Sequence, residues 1–162
     1  MDDSTSTSVD MDACDGKFQW TEEMSVGNVT LDDDHKAFFT ISNLIMEAQR
    51  LDPRSHVTES ALLMLGEYVG GHFLREEKAM RAVKYPRITG HIQKHTKFRA
   101  HVQAIVNAYR EGTTSVIREL PDLVVDWLRG HILSEDAQYK MWISNSIVDD
   151  RPLVYLAMEA EE

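Results

Sequence analysis

His72 and Glu76 stand four residues apart, and so do His91 and His95. On a helix that interval puts both members of a pair on one face, one turn apart, as two ligands of one metal centre require. His35 and His131 add one imidazole each from two further apolar-periodic stretches, and Asp136 follows His131 by five residues. Five residues are ~140° of a regular α-helix at ~100° per residue. For both side chains to face one point, the helix must end or loosen around Ser134-Glu135. A single histidine on a core face is ordinarily a satisfied core residue. Five histidines and two carboxylates converging from four helices are another matter, because each unpaired buried polar group costs about 1–3 kcal/mol. A cation turns them into ligands. His56 opens its helix and His101 lies six residues after His95, off its face, so both read as non-ligands.

The donor set narrows the metal. Seven protein ligands exceed the four of tetrahedral zinc. Imidazole mixed with carboxylate suits iron, whereas calcium or magnesium would want oxygen throughout. Two octahedral irons offer about twelve positions; the histidines, two bridging carboxylates and a shared oxo or hydroxo group fill about eleven and leave one open. The chain contains no Glu-x-x-His, no His-Glu-x-x-His and no His-Asp step. That argues against a carboxylate-rich, oxygen-activating ferritin-type site and against zincin and His-Asp hydrolase chemistry.

Four helices must carry these groups. Apolar residues at three- and four-residue steps predict the first over about 32–50, with Asp32 as N-cap and Phe38, Ile41, Leu44 and Ile45 inward. The second is predicted from about Ser55 to Val83, with Leu62, Leu65, Val69, Phe73 and Met80 inward; Tyr85-Pro86 ends it. The third covers about 88–110 and stops at Glu111-Gly112. The fourth follows Thr113-Thr114-Ser115, begins near Pro121 and holds Leu123, Val124, Trp127, Leu128 and Ile132. Short connections make such helices antiparallel neighbours. The expected fold is therefore all-α, an up-down-up-down antiparallel four-helix bundle preceded by an irregular segment over 17–31 with Trp20, Met24 and Val26. Residues 137–158 add a short helix and a covering segment. Gly70-Gly71 before His72 costs roughly 1 kcal/mol per glycine against alanine, which points to close helix packing or a gas path.

The 162 residues suit one domain and carry a formal charge of −10. Most of that charge sits at the ends. Residues 1–16 hold five Asp and no base, and 149–162 hold five acids against Arg151, so the bundle over 17–148 is nearly neutral. The first stretch reads as a disordered acidic tail and the last as a second acidic tail. A net-acidic chain is poorly suited to nucleic acid. No stretch is apolar enough to insert in a membrane, and MDDSTSTSVDMDACDG lacks the marks of a secretory signal. Cys14 alone excludes an internal disulfide. The expected setting is cytoplasmic.

The run HFLREEKAMRAVKYPRITGHIQKHTKF, with LDDDH before it and WLRGHILSED after it, resembles the hemerythrin family, specifically its bacterial members. The resemblance spans about Phe18 to Asp136 and fills all seven of the family's ligand positions. It implies that His91, His95 and His131 bind one iron, that His35 and His72 bind the other, and that Glu76 and Asp136 bridge the two. It further implies a non-enzymatic protein that binds dioxygen reversibly at the iron with two histidines, for transport, storage or delivery. An oxygen or redox sensor acting through a separate partner, and a di-iron peroxidase or oxidase, are the competing readings. Phe38, Phe73, Trp127, Leu128 and Ile132 neighbour the ligands and are the candidate walls of the oxygen pocket, with core packing as the competing explanation; Trp127 is foremost among them. Tyr109 and Tyr139 each offer a hydroxyl that could orient a ligand.

Overall fold

Asn28, not Asp32, starts the first helix of the computed structural model, which describes residues 17–162. The tail expected over 1–16 lies outside the described residues. The Asn28 side chain accepts the Leu31 N–H at 3.0 Å, and α1 runs Val29–Leu51. Asp32 lies inside the helix, where its carboxylate accepts the Val26 N–H at 2.9 Å and the Ser25 hydroxyl at 2.6 Å. It thus ties down the irregular lead-in, whose Met24 and Val26 are buried. Asp52, held extended before Pro53, ends α1. Ser55 caps α2 (His56–Ala82) by accepting the Thr58 N–H at 3.1 Å. Lys84 turns the chain out of α2 with φ 54°, and the Tyr85 N–H closes back onto Met80 O at 2.9 Å. Helix α3 (Ile88–Arg110) stops at Gly112, whose φ of 99° favours glycine. Helix α4 (Leu120–His131) takes Pro121 in its first turn, where a missing N–H costs nothing.

Among the described residues all regular structure is helical, and the helices form a bundle with α1 against α2 and α4, and α2 against α3. Its core comprises Phe38, Ile41 and Ile45 of α1, Leu62, Leu65 and Val69 of α2, Phe98, Val102 and Val106 of α3, and Val124, Val125 and Leu128 of α4. Leu44, expected inward, is 40% exposed, because the α1 stripe runs through the 38–41–45 positions beside it.

Residues 149–162, set apart above as an acidic tail, correct that expectation. Leu153–Ala160 form a fifth helix, α5, which packs along α2. Leu153, Leu156 and Ala157 are spaced i, i+3, i+4 and are buried as one stripe. Gly71 explains the closeness of the contact: a Cβ there would stand 2.9 Å from both Ala157 N and Leu153 O. Of the two readings offered for the glycine pair, close helix packing therefore holds at Gly71. A Cβ at Gly70 would meet only ordinary contacts of 3.6 Å and beyond. The acids of this segment lie on its outer side, where Asp149 and Glu159 bind Lys78 at 3.1 and 2.9 Å and Arg151 at 2.6 and 2.9 Å.

Candidate metal centre

The i, i+4 pairs on α2 and α3 face inward at one level of the bundle, and α1 and α4 bring His35 and His131 to the same level. Asp136 arrives by a local departure from α geometry. Ile132–Asp136 form a π-helical turn, in which hydrogen bonds span five residues instead of four. The expected loosening thus takes the form of a widened turn, and it puts His131 and Asp136 on one side, with Nε2 and Oδ1 3.1 Å apart. All seven candidate ligands are buried.

Their donor atoms fall into two groups, each within 4.8 Å: Glu76, His91, His95, His131 and Asp136 in one, His35, His72 and Glu76 in the other. Both carboxylates straddle the groups. Oε1 of Glu76 lies 3.6 Å from His35 and 3.3 Å from His72, while its Oε2 lies 3.5 Å from His91 and 3.2 Å from His95. Oδ2 of Asp136 lies 3.4 Å from His35, and its Oδ1 lies 3.2 Å from His91 and 3.1 Å from His131.

The chemistry of this donor set fits a metal. Nε2 of His131 lies 3.1 Å from Nε2 of both His91 and His95. With one proton or one lone pair on Nε2, a neutral His131 ring completes at most one of these two contacts as a hydrogen bond, whereas a cation between the rings would use all three nitrogens. Both Asp136 oxygens, Oε2 of Glu76 and both ring nitrogens of His35 are buried without a hydrogen-bond partner. Such orphans are costly in a core and are what ligands look like without their ion.

Groups behind the ligands fix their orientation. Nδ1 of His72 lies 3.0 Å from Asp34 Oδ2, and Nδ1 of His95 lies 3.1 Å from Glu77 Oε1. A carboxylate accepts only, so each ring carries its proton on Nδ1 and turns Nε2 toward the centre. The Tyr139 hydroxyl, wholly buried, donates to Glu76 Oε1 at 2.5 Å. Tyr109 instead donates to Pro53 O at 2.8 Å and serves the end of the bundle. Asp34, Glu77 and Arg75 were not picked out from sequence. Asp34 precedes a ligand and Glu77 follows one, but only the helix phases bring each to a histidine on another helix.

The electrostatics follow the same contacts. Burial opposes charge on His72, yet the Glu76 and Asp34 carboxylates outweigh it and raise the ring to about 10. Burial likewise opposes charge on His91, which Asp136 and Glu76 raise to about 9. At His131 burial wins and the pKa falls. Burial works against ionisation of Glu76 and Asp136 also, but the surrounding imidazoles hold both below the usual carboxylate range. Burial and the Asp136 and Glu76 charges push the Tyr139 hydroxyl far up, so it stays a donor. Without metal, the raised rings of His72 and His91 favour holding protons that a metal must displace.

The expected pocket walls divide between the two groups. Phe38 contacts His72 edge-on at 5.4 Å, on the two-histidine side. Phe73 lies flat on His95 at 3.8 Å, and Trp127 stacks on His131 at 4.3 Å, both on the three-histidine side. Leu128 and Ile132 are buried in the core beside His131 in sequence. His56 is fully exposed, and His101 is exposed on the outer face of α3, away from the cluster.

Residues 26–143 match the model of the hemerythrin HHE cation-binding domain. A bacteriohemerythrin of Clostridium acetobutylicum is 27% identical over 127 residues, 75% of this chain and 98% of that protein. A hemerythrin-like protein of Naegleria gruberi is 30% identical over 123 residues, 76% of this chain and 91% of that protein. Myohemerythrin-1 of Phascolopsis gouldii is 28% identical over 124 residues, 76% of this chain and 92% of that protein. Helix α5 lies beyond the span matched by the family model.

Proposed function

The chain belongs to the hemerythrin family, and on that premise we propose that it binds dioxygen reversibly at a di-iron centre, as a carrier or store and not as an enzyme. The observation that carries the reading is the straddling of Glu76 and Asp136, each with one oxygen toward each histidine group. In this reading His91, His95 and His131 hold one iron, His35 and His72 hold the other, and the two carboxylates bridge them. The contacts of α1 with α2, α2 with α3 and α1 with α4 support an up-down-up-down course for the four helices that supply these ligands. The irons supply the electrons that reversible dioxygen uptake needs and a coordination position to receive it.

The chain's own residues do the rest. His35 and His72, two donors against three, leave their side the less crowded, and Phe38 closes it with an apolar edge. Neutral imidazoles outnumber carboxylates, a donor set that stabilises the reduced state relative to a carboxylate-rich one. Tyr139 takes negative charge off Glu76 by its hydrogen bond and fixes which way that bridge points. Burial of all seven ligands keeps water from the centre. No helix of the described residues is long and apolar enough to cross a membrane; a cytoplasmic setting goes with this reading.

The test is iron analysis of the purified protein with optical spectra under argon and under air. Two irons per chain and a colour that returns over repeated oxygen cycles, with no reductant consumed, is the expected result. A chain with less than one iron, or a colour that never reverses, overturns the reading.

A further inference from the structure

Two of the ligand histidines are backed by a carboxylate that is itself backed by an arginine, but the two relays sit in different surroundings. Behind His95, Glu77 pairs through Oε2 with Arg81 Nη2 at 3.1 Å, and the Arg81 side chain is 53% exposed. Water screens that pair and leaves it little force. Behind His72, the same Asp34 oxygen that receives Nδ1 also stands 3.2 Å from Arg75 Nε, an ion pair without hydrogen-bond alignment, and the Arg75 side chain is 3% exposed. A guanidinium so placed is unscreened, and it needs acceptors to stay buried. One comes from outside the four main helices: Arg75 Nη2 donates to the Arg151 carbonyl at 2.8 Å.

That carbonyl belongs to the segment leading into α5, which is held by the stripe Leu153, Leu156 and Ala157 and by the cluster of Lys78, Asp149, Arg151 and Glu159. We infer that Arg75 is a positioning residue for the metal ligand His72, and that docking of the C-terminal helix sets the donor strength of that histidine by holding Arg75 on Asp34. The physical chain is short. With Arg75 in place, Asp34 shares its charge between guanidinium and ring, and it draws less on the Nδ1 proton. With Arg75 displaced, Asp34 pulls harder on that proton, the ring gains anionic character, and a metal on Nε2 is shifted toward its oxidised state. A surface helix is thereby connected to the two-histidine side in three contacts.

The inference rests on the metal reading, so its test includes a readout that needs no metal. In the metal-free protein, the ring resonances of His72 in nitrogen-edited NMR move downfield in Arg75→Gln, whereas those of His95 stay in place in Arg81→Gln, whose relay is exposed. In the iron-loaded protein, Arg75→Gln lowers the midpoint potential. Leu156→Asp undocks α5, read as amide exchange over 153–160 at least ~10-fold faster, and it moves His72 in the same direction as Arg75→Gln. Should Leu156→Asp fail to fold, Glu159→Lys breaks the surface cluster without touching the core, with the same two readouts. Faster exchange in α5 with His72 unmoved overturns the inference, and so does a Glu159→Lys protein whose exchange is unchanged. If the protein takes up no iron, the metal-free spectra still decide whether α5 reaches His72.

Discussion

His91, His95 and His131 sit among aromatic rings, whereas His35 and His72 sit among charges. On the first side Phe73 lies parallel to His95 within 3°, Trp127 parallel to His131 within 14°, and Phe98 stacks on Trp127 at 3.9 Å. On the second, His72 leans on Asp34 and Arg75, with Phe38 meeting it only by its edge. Stacked rings resist displacement but respond little to distant events, because dispersion falls off within one contact. Buried charges act over longer range and depend on every partner that holds them. One half of the centre is built to stay put and the other to be adjusted.

The deepest way to break this contrast is to remove what the halves share. Glu76→Ala is expected to empty both, leaving less than one iron per chain by metal analysis, because each histidine group loses an oxygen; His35→Ala or His72→Ala is expected to spare part of the metal on the other side. Trp127→Ala attacks the ring-braced half alone. It should cost about 2 kcal/mol in denaturant unfolding, less than the ~3–5 of a fully buried aromatic because Trp127 is only partly buried, and shorten the lifetime of the oxygenated colour. Unchanged unfolding would deny the stack its role. Gly71→Ala attacks the covering helix instead. Its new Cβ meets backbone at 2.9 Å, so α5 should shift or detach at a cost of about 1–3 kcal/mol, while Gly70→Ala should gain up to ~1 kcal/mol of helix propensity.

Acid gives the smallest effect. The Arg151 and Lys78 contacts hold Asp149 below the usual carboxylate range. A carboxyl depressed in the folded state contributes stability above its unfolded value of ~3.9 and loses it as pH falls further. The protection factors of the α5 amides, taken relative to the intrinsic exchange rate at each pH, should therefore be flat from neutrality to about pH 4 and fall below it. The outer cluster is largely solvent-facing, so ~1 M salt should produce part of the same change at neutral pH.

Much of the candidate centre was legible because its candidate ligands obey helical arithmetic: His72 with Glu76 and His91 with His95 announce a shared face without any knowledge of the fold. The Leu120–His131 helix and its start at Pro121 followed from the same kind of local rule. What escaped was long-range. Asp34 meets a ring 38 residues away and Glu77 one 18 residues away, and nothing in the local pattern distinguishes either from a surface neighbour; the Tyr139 hydroxyl is legible as a candidate, but its partner Glu76, 63 residues away, is not. Asp32 looked like a cap because caps are acidic or amidic, yet Asn28 lies one turn earlier and takes the role. Helix α5 was legible only in part: residues 137–158 read as a short helix and a covering segment, yet the stretch beyond 149 also read as an acidic tail. Counting charge over 149–162 obscured the Leu153, Leu156 and Ala157 stripe that buries it.

The widened turn at Ile132–Asp136 has a reach beyond Asp136 itself. One residue accommodated inside a helix rotates everything after it by ~100°. Tyr139, three positions on, owes its inward heading to that same surplus, so the Asp136 carboxylate and the hydroxyl that steadies Glu76 are set by a single count along the chain. Excising Ser134 alone would swing both away together. The segment therefore tolerates changes of side chain far better than changes of length.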